Sequence, residues 1–552
     1  MSLETITGNG TGNGHTHGGG GGVAAARPVG AASATVIPCW DPATGESLGE
    51  VAVDSPEQVK AIVARARVAH KSWATTSFAE RRRVLARLRD YLLDHTDELV
   101  ELIARDAGKT RENALLGEIW PVCEKLRHTI ATGERDLKTE RVSSGLLAHK
   151  IAEIEYHPLG VIGVICPWNF PLQNILGPTI PALMAGNAVV IKVSEWVAWS
   201  APRFQAMFDE ILAATGHSAD LVRIVNGYAE TGVALCESGI DKIVFTGSNP
   251  NGRRVAAQCA RTLTPVVLEL GGKDAMIVCE DANLEQAVHA AFAGTFISSG
   301  QMCLAAERVM VVDKVHDAFV AKAVALASQL RQGPPLSGAI TDVGAMTMPH
   351  QLEIVEQLVS DALARGAKAA VGGKRGNGGK GGQGSFFSPT VLTGVTSEMR
   401  IANEETFGPV LCIFRVADEE AAVALANSTE YGLGSTVFCT DHARARRIAA
   451  RLRAGSTIVN DFGLAYMAND LPFGGVGGSG YGRLNGREGI RGMCNQKSVM
   501  RDRFPIHQPI KLYPVKAGDY AKNRAIVELL YRPGIVNRAR ALLSLITGAF
   551  KR

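Results

Sequence analysis

At 552 residues the chain is too long for one compact core and is expected to divide into roughly two to four domains. A composition of 46% hydrophobic and 20% charged residues is ordinary for a globular enzyme, and a net charge of +4 provides no field that would argue for nucleic acid or acidic partners. The ten cysteines are scattered and form no C-x-x-C pair, which excludes a zinc ribbon or a disulfide scaffold and leaves reduced, mostly buried thiols with no metal site.

Residues 1–35 are rich in Gly, Asn, Thr and His, with almost nothing to bury, and read as a disordered tail. They contain no basic stretch leading into an apolar one, and no run of about eighteen apolar residues occurs anywhere, so a cytoplasmic location is expected. From Val36 to about Arg141 the pattern is mainly helical, with apolar residues three and four apart between Pro56 and Asp106. Within it, Gly108-Lys109-Thr110 has the end of a phosphate loop but Ile103 where such a loop needs Gly, so that reading fails.

The period then changes. Short β-branched runs at Val161–Ile165, Ala188–Ile191, Val222–Val225, Lys242–Phe245 and Pro265–Leu268 alternate with helical stretches, which predicts a parallel sheet covered by helices. A second α/β segment follows over 271–471, with strands at Arg308–Val312, Val410–Phe414 and Gly434–Phe438 and a flexible loop at Gly372–Ser385. Polar motifs sit where the first set of strands ends: Pro167-Trp168-Asn169-Phe170-Pro171, Lys192-Val193-Ser194-Glu195, Phe245-Thr246-Gly247-Ser248 and Glu269-Leu270-Gly271-Gly272-Lys273. Ligands on doubly wound sheets bind at those carboxyl ends. Ser299-Gly300-Gln301-Met302-Cys303 follows, in a setting that suits an exposed turn more than a buried thiol.

These motifs, together with Glu404-Glu405-Thr406-Phe407-Gly408-Pro409, Tyr431-Gly432-Leu433 and Pro472-Phe473-Gly474-Gly475, resemble the aldehyde dehydrogenase superfamily in order and spacing from about Pro42 to Val499. The resemblance implies an α/β fold: a Rossmann-like NAD-binding domain over 36–148 and 158–270, a catalytic domain over 271–471, and bridging strands at 149–157 and 494–501 that build a homodimer or homotetramer. It makes Cys303 the nucleophile, Asn169 with the Cys303 backbone N–H the oxyanion donors, and Glu269 the base that activates water against a thioester. It assigns NAD to Lys192 and Glu195 at the adenosine ribose, Gly247 and Ser248 at the pyrophosphate with Trp168 nearby, Glu405 and Phe407 at the nicotinamide ribose, and Leu270 through its carbonyl. Val193 departs from the family, which usually has Pro there; losing that fixed φ is expected to loosen the turn slightly.

A carboxylate at Glu195 favours NAD over NADP. Trp120, Phe170 and the Phe462–Met467 segment read as apolar tunnel walls without an Arg, which favours an apolar or aromatic aldehyde over a semialdehyde acid. Glu269 opposes the rival in which CoA resolves the thioester, and the intact motifs oppose a catalytically retired binding protein. Residues 503–552 exceed the usual soluble enzyme. Their lysines and arginines accompany a stripe of Ile535, Val536, Ala539, Leu542, Leu543 and Ile546, expected to pack on the enzyme or a neighbouring subunit, with peripheral contact to an anionic membrane as the alternative.

Overall fold

Five of the β-branched runs lie side by side. In the computed structural model, which describes residues 34–376, 384–505 and 512–549, a six-stranded sheet runs in the order Gly480–Tyr481, Val266–Glu269, Lys242–Thr246, Val161–Ile165, Ala188–Lys192, Val222–Val225. The last five are parallel. Val161–Ile165 and Ala188–Lys192 are buried at every position, because helices cover both faces, and so they show no alternation in sequence. From Val161–Ile165 the chain builds outward in one direction and later returns on the other side at Lys242–Thr246. That reversal opens a crevice at the carboxyl ends, where the polar motifs begin.

The predicted second α/β segment forms a seven-stranded sheet in the order Lys368–Val371, Thr390–Thr393, Val410–Val416, Arg308–Val312, Ala275–Val278, Gly434–Phe438, Ser456–Val459. Only the Lys368–Val371 edge is antiparallel. Separate apolar clusters fill its two faces. The tail expected over 1–35 falls almost wholly outside the described residues, as do positions 377–383 of the Gly372–Ser385 loop.

Two elements were missed. Val36–Trp40 and Ser47–Ala52 form an antiparallel hairpin at the start of the stretch read as mainly helical. Its turn is held by the Asp41 carboxylate, which accepts from the Ala43 and Thr44 N–H groups, and by Gly45 at φ 73°. The other is Gly480–Tyr481, which pairs Gly480 with Glu269 and brings the Pro472–Ser479 stretch back to the first sheet. Two residues are too few to show a period.

The rejected phosphate-loop match has a structural role. Gly108 closes the helix Thr96–Ala107 in the left-handed region, Thr110 caps the next turn, and Lys109 is buried 2.8 Å from the Glu118 carboxylate. Burial lowers the Lys109 pKa, while Glu118 pulls it back up. The other Glu118 oxygen accepts from the Leu172 and Gln173 N–H groups, each at 2.9 Å, at the N-terminus of the helix Pro171–Ala185. Glu118 reaches that point from a π-helical turn, Leu115–Ile119, that leads into the helix Trp120–Leu137. Lys109 also lies 3.4 Å over the Phe170 ring, so one ion pair fixes both the helix and the loop before it.

Helix Pro171–Ala185 contains Pro178 and Pro181. A proline has no N–H, so the carbonyls four residues earlier, Asn174 and Gly177, lose their helical donors. Cys166 Sγ donates to Asn174 O at 3.3 Å and Lys125 Nζ to Gly177 O at 3.0 Å.

The described chain divides into two compact units: residues up to 140 with 154–497, and residues 141–153 with 498–552. The predicted bridging strands appear as Lys150–Pro158 and Cys494–Asp502, neighbours in a three-stranded sheet completed by Glu140–Val142. In the smaller unit Arg501 pairs with Glu153 at 2.9 Å, and the helices Asp519–Tyr531 and Ile535–Ala549 pack on each other with Ala525 and Ala541 buried. The residues of the apolar stripe are exposed: Ile535 is 87% and Val536 70% exposed, and Leu542, Leu543 and Ile546 are exposed too.

Replacing Glu118 strands the buried Lys109 charge and uncaps the helix that carries the Asn169 loop. Glu118→Ala should lower unfolding stability by about 3–5 kcal/mol in denaturant titration. A loss under about 1 kcal/mol would contradict this role.

Candidate active site

The loop before Cys303 is bent by three consecutive left-handed residues, Ser298, Ser299 and Gly300, at φ 52°, 57° and 74°. For the two serines this costs about 1–2 kcal/mol each, so the surroundings must hold the bend. Ser299 Oγ donates to Gly344 O at 3.0 Å, and the Ser298 N–H donates to Asn113 Oδ1 at 2.7 Å. Gln301 donates its amide to Ser298 O and accepts from the Thr347 N–H. A side chain on Gly300 would collide with the Gly408 carbonyl. The result presents Cys303 half-buried in the cleft while eight of the ten cysteines are fully buried. Enclosure first, then the carboxylates of Asp274, Glu269 and Glu405, push its thiol well above the usual range, with the Leu304 N–H pulling the other way. The resting group at neutral pH is therefore a thiol, and its attack on a carbonyl needs a proton acceptor.

Asn169 is buried on the same side. Its Nδ2 donates to Gln301 O at 3.1 Å, and its Oδ1 accepts from Asn174 Nδ2 at 3.2 Å. Asn174, which sequence reasoning did not single out, thereby fixes which end of the Asn169 amide is the donor.

Glu269 ends the strand Val266–Glu269 and is 3% exposed. Neither carboxylate oxygen has a hydrogen-bond partner among the described residues. Burial raises its pKa well above the carboxylate range, against the attraction of Arg483 and Lys125. The Gly474 backbone passes beside it, since a Cβ there would lie 2.8 Å from Glu269 Oε1.

The two glycines after Glu269 have separate reasons. A Cβ on Gly271 would strike the Glu405 carboxylate, and one on Gly272 would strike the Cys303 carbonyl. The Gly272 N–H donates to Glu405 Oε1 at 2.9 Å. Burial, then Glu307, raises the Glu405 pKa to about 8. Lys273 turns inward, paired with Glu307 and donating to Thr406 Oγ1 at 2.9 Å. Glu307 also accepts from the Thr406 and Phe407 N–H groups at 2.7 and 2.8 Å. This holds Phe407 at φ 50°, with its ring edge-to-face against Trp168 at 5.5 Å. Lys273 stood within a quoted motif without a role, and Glu307 was missed: a Glu-Arg pair before a strand is an ordinary sequence until its partners are known.

Cys303, Asn169, Asn174, Glu269, Glu405, Phe407 and Trp168 line one cleft of about 970 Å³, which also takes in Lys192, Glu195, Gly247, Ser248 and Leu270. Its size suits a large ligand. Lys192 Nζ stands 3.4 Å from Glu195 Oε2. Val193 uses the N–H that a proline would lack, donating to Val225 O at 3.3 Å, which offsets the loosening expected at that turn. Ser248 is the N-cap of the helix Asn249–Ala260 and makes no side-chain cap bond, so that end of the helix faces the cleft with Pro250 in its first turn. One expectation is corrected. The Gly247 N–H was assigned to the pyrophosphate, but it donates to Glu269 O at 3.0 Å and completes the sheet instead. Gly247 is needed for space, since a Cβ there would lie 2.7 Å from the Phe245 ring.

The other half of the cleft is lined by Leu116, Trp120, Phe170, Ile297, Phe462 and Tyr466, and Lys192 is the only basic residue among the lining residues.

A thiol, an amide donor and an unpaired carboxylate at the crevice of a doubly wound sheet define an NAD(P)-dependent aldehyde-oxidising enzyme. The chain belongs to the aldehyde dehydrogenase family, whose family model matches residues 29–499. It is 40% identical over 487 residues to an aldehyde dehydrogenase-like protein of Schizosaccharomyces pombe, covering 87% of this chain and 93% of that one. It is 36% identical over 499 residues to a 4,4'-diapolycopene aldehyde oxidase of Methylomonas sp, covering 90% and 92%. Among solved structures, a Mycobacterium tuberculosis aldehyde dehydrogenase complexed with NAD+ superposes with a TM-score of 0.79 at 32% identity, covering 86% of this chain and 96% of that one.

With its pKa raised, Cys303 should be alkylated slowly by iodoacetamide at pH 7.5 in the cofactor-free enzyme. The rate, followed by mass spectrometry at that residue, should still be climbing at pH 10. A plateau below pH 8 would contradict the protonated resting thiol.

Proposed function

We propose that the protein oxidises an apolar or aromatic aldehyde to the carboxylic acid, with NAD as acceptor and water as the group that releases the acyl-enzyme. The observation that carries the hydrolytic reading is Glu269, buried in the cleft of Cys303 with no partner on either oxygen among the described residues. An unpaired buried carboxylate is costly, and its retention suits a group whose partner is water or substrate.

Cys303 Sγ adds to the aldehyde carbon as water in the cleft carries its proton to solvent. The oxyanion is received by Asn169 Nδ2, held in orientation by Asn174, and by the Cys303 backbone N–H. Bound NAD supplies the hydride acceptor that leaves a thioester on Cys303. Glu269 then draws a proton from water attacking the thioester, which releases the acid and the Cys303 thiolate. Lys192 and Glu195 suit the adenosine ribose, the start of helix Asn249–Ala260 suits the pyrophosphate, and Glu405 and Phe407 suit the nicotinamide ribose. Glu195, beside that ribose, repels a 2′-phosphate, which favours NAD over NADP.

The apolar tunnel residues support the substrate class, because a semialdehyde acid would bring a carboxylate to a wall with no cation to receive it. The exposed stripe of helix Ile535–Ala549, with Lys516, Lys522, Arg524, Arg532, Arg538 and Arg540 in the same extension, suits an anionic membrane surface. The full chain should co-sediment with phosphatidylserine vesicles at low salt, and Ile535→Asp combined with Val536→Asp should abolish this. Equal recovery with and without vesicles would remove the membrane contact.

In steady-state assays kcat/KM should rise with the length of a straight-chain aldehyde and be at least about tenfold lower for succinate semialdehyde than for hexanal. NAD should be preferred, and Glu195→Gln should raise use of NADP by about tenfold or more, because the like-charge repulsion is removed. Formation of acyl-CoA on addition of CoA, or a preference for succinate semialdehyde, would overturn the reading.

A further inference from the structure

Within electrostatic reach of Glu269 lies a buried lysine that the steps above do not use. Lys125 is 5% exposed, on the helix Trp120–Leu137, and its only hydrogen bond found among the described residues is to the carbonyl that Pro181 frees in the neighbouring helix. That bond points its ammonium at the Gly177 corner, where a Cβ on Gly177 would lie 4.0 Å from Lys125 Nζ and 3.8 Å from the Tyr466 hydroxyl. Tyr466 lines the catalytic cleft together with Glu269 and Cys303.

On its other side Lys125 lines a second, small space of about 20 Å³ with His128, Thr129, Thr132, Asp136 and Asn485. That volume suits a single water, and the walls offer the polar partners a water needs. Leu484 lines both this space and the catalytic cleft. His128 carries the line outward, with Nε2 3.7 Å from Asp470, whose side chain is 75% exposed.

We propose that Lys125 acts through Glu269 as its proton acceptor, taking the proton gained from the hydrolytic water and passing it to the Lys125–His128 space and so to solvent. The inference rests on Glu269 being the base of the proposed reaction. The transfer balances. The Glu269 O–H bond breaks and an N–H bond forms on uncharged Lys125 Nζ, across one water. This restores the carboxylate and leaves an ammonium, which then loses a proton to water. Burial lowers the Lys125 pKa to about 8 while the Glu269 charge holds it up, so both protonation states are within reach near neutral pH. Arg483, Tyr466 and Cys303 are the other groups near Glu269. Asp136 and His128 share the helix of Lys125, and Arg487 and Arg491, on the helix packed against it, engage Asp136 and Glu140.

Because Lys125 must be uncharged to accept, wild-type kcat should rise with pH through about 8. Lys125→Met should keep the rapid NADH burst of the first turnover, lower steady-state kcat tenfold or more, and lose that limb. Lys125→Arg, which keeps the charge but holds its proton, should not restore kcat. A wild-type profile flat between pH 7 and 9 would overturn the proposal without any variant, and so would full rescue by arginine. Glu269→Gln run alongside separates the two claims. If it turns over normally, the base assignment fails. If it stalls after the burst while Lys125→Met keeps wild-type kcat and profile, only the lysine's role fails.

Discussion

The close passage of Gly271-Gly272 between Glu405 and Cys303 is the constraint around which the rest of the site is arranged. No side chain fits at either position, because one would meet a carboxylate and the other a carbonyl. The strand carrying Glu269 can therefore run directly from the first sheet to the second, with the thiol on one side and the Glu405–Phe407 loop on the other. Ser479 closes the arrangement, donating to Gly271 O at 2.6 Å and accepting from the Gly432 N–H. Lys273 follows at once and ties the same loop through Glu307. Glu269, Cys303 and Glu405 thus occupy one short stretch of backbone and its immediate neighbours.

That compactness places several carboxyl groups in a buried region. Glu269, Asp274, Glu307 and Glu405 face Lys273, Arg308 and Lys125, and the fold treats them unequally. Glu307 is saturated with donors and serves as scaffold. Asp274, its pKa raised to about 7 mainly by burial, accepts from the Gly434 N–H. Glu269 alone among these is left without a hydrogen bond within the described residues. In a region of low dielectric such an arrangement sets the one carboxylate left without donors apart from those held by them.

What the sequence revealed depended on whether a signal was local. The buried strands were legible because continuous β-branched runs such as Val161–Ile165 end in turn residues, and the polar motifs beyond them marked the crevice. The Gly-Gly after Glu269 read as a close approach, although what approaches is the protein's own Glu405 and Cys303 carbonyl. Interactions whose partners lie far apart were not legible. Glu118 capping a helix more than fifty residues on, Lys125 satisfying a carbonyl freed by Pro181, and Asn174 orienting Asn169 leave no pattern in one strand or turn. The Gly247 N–H was misassigned for the same reason, since its partner at Glu269 is visible only once the strands are paired.

The most direct test of the account is to trap the intermediate that it requires. Glu269→Gln, incubated with NAD and a medium-chain apolar aldehyde, should produce about one equivalent of NADH and then stop. Intact-protein and peptide mass spectrometry should find the acyl group on Cys303. Continued turnover at a wild-type rate, or an acyl group on any other residue, would contradict the assignment of Cys303 and Glu269 to the two halves of the reaction.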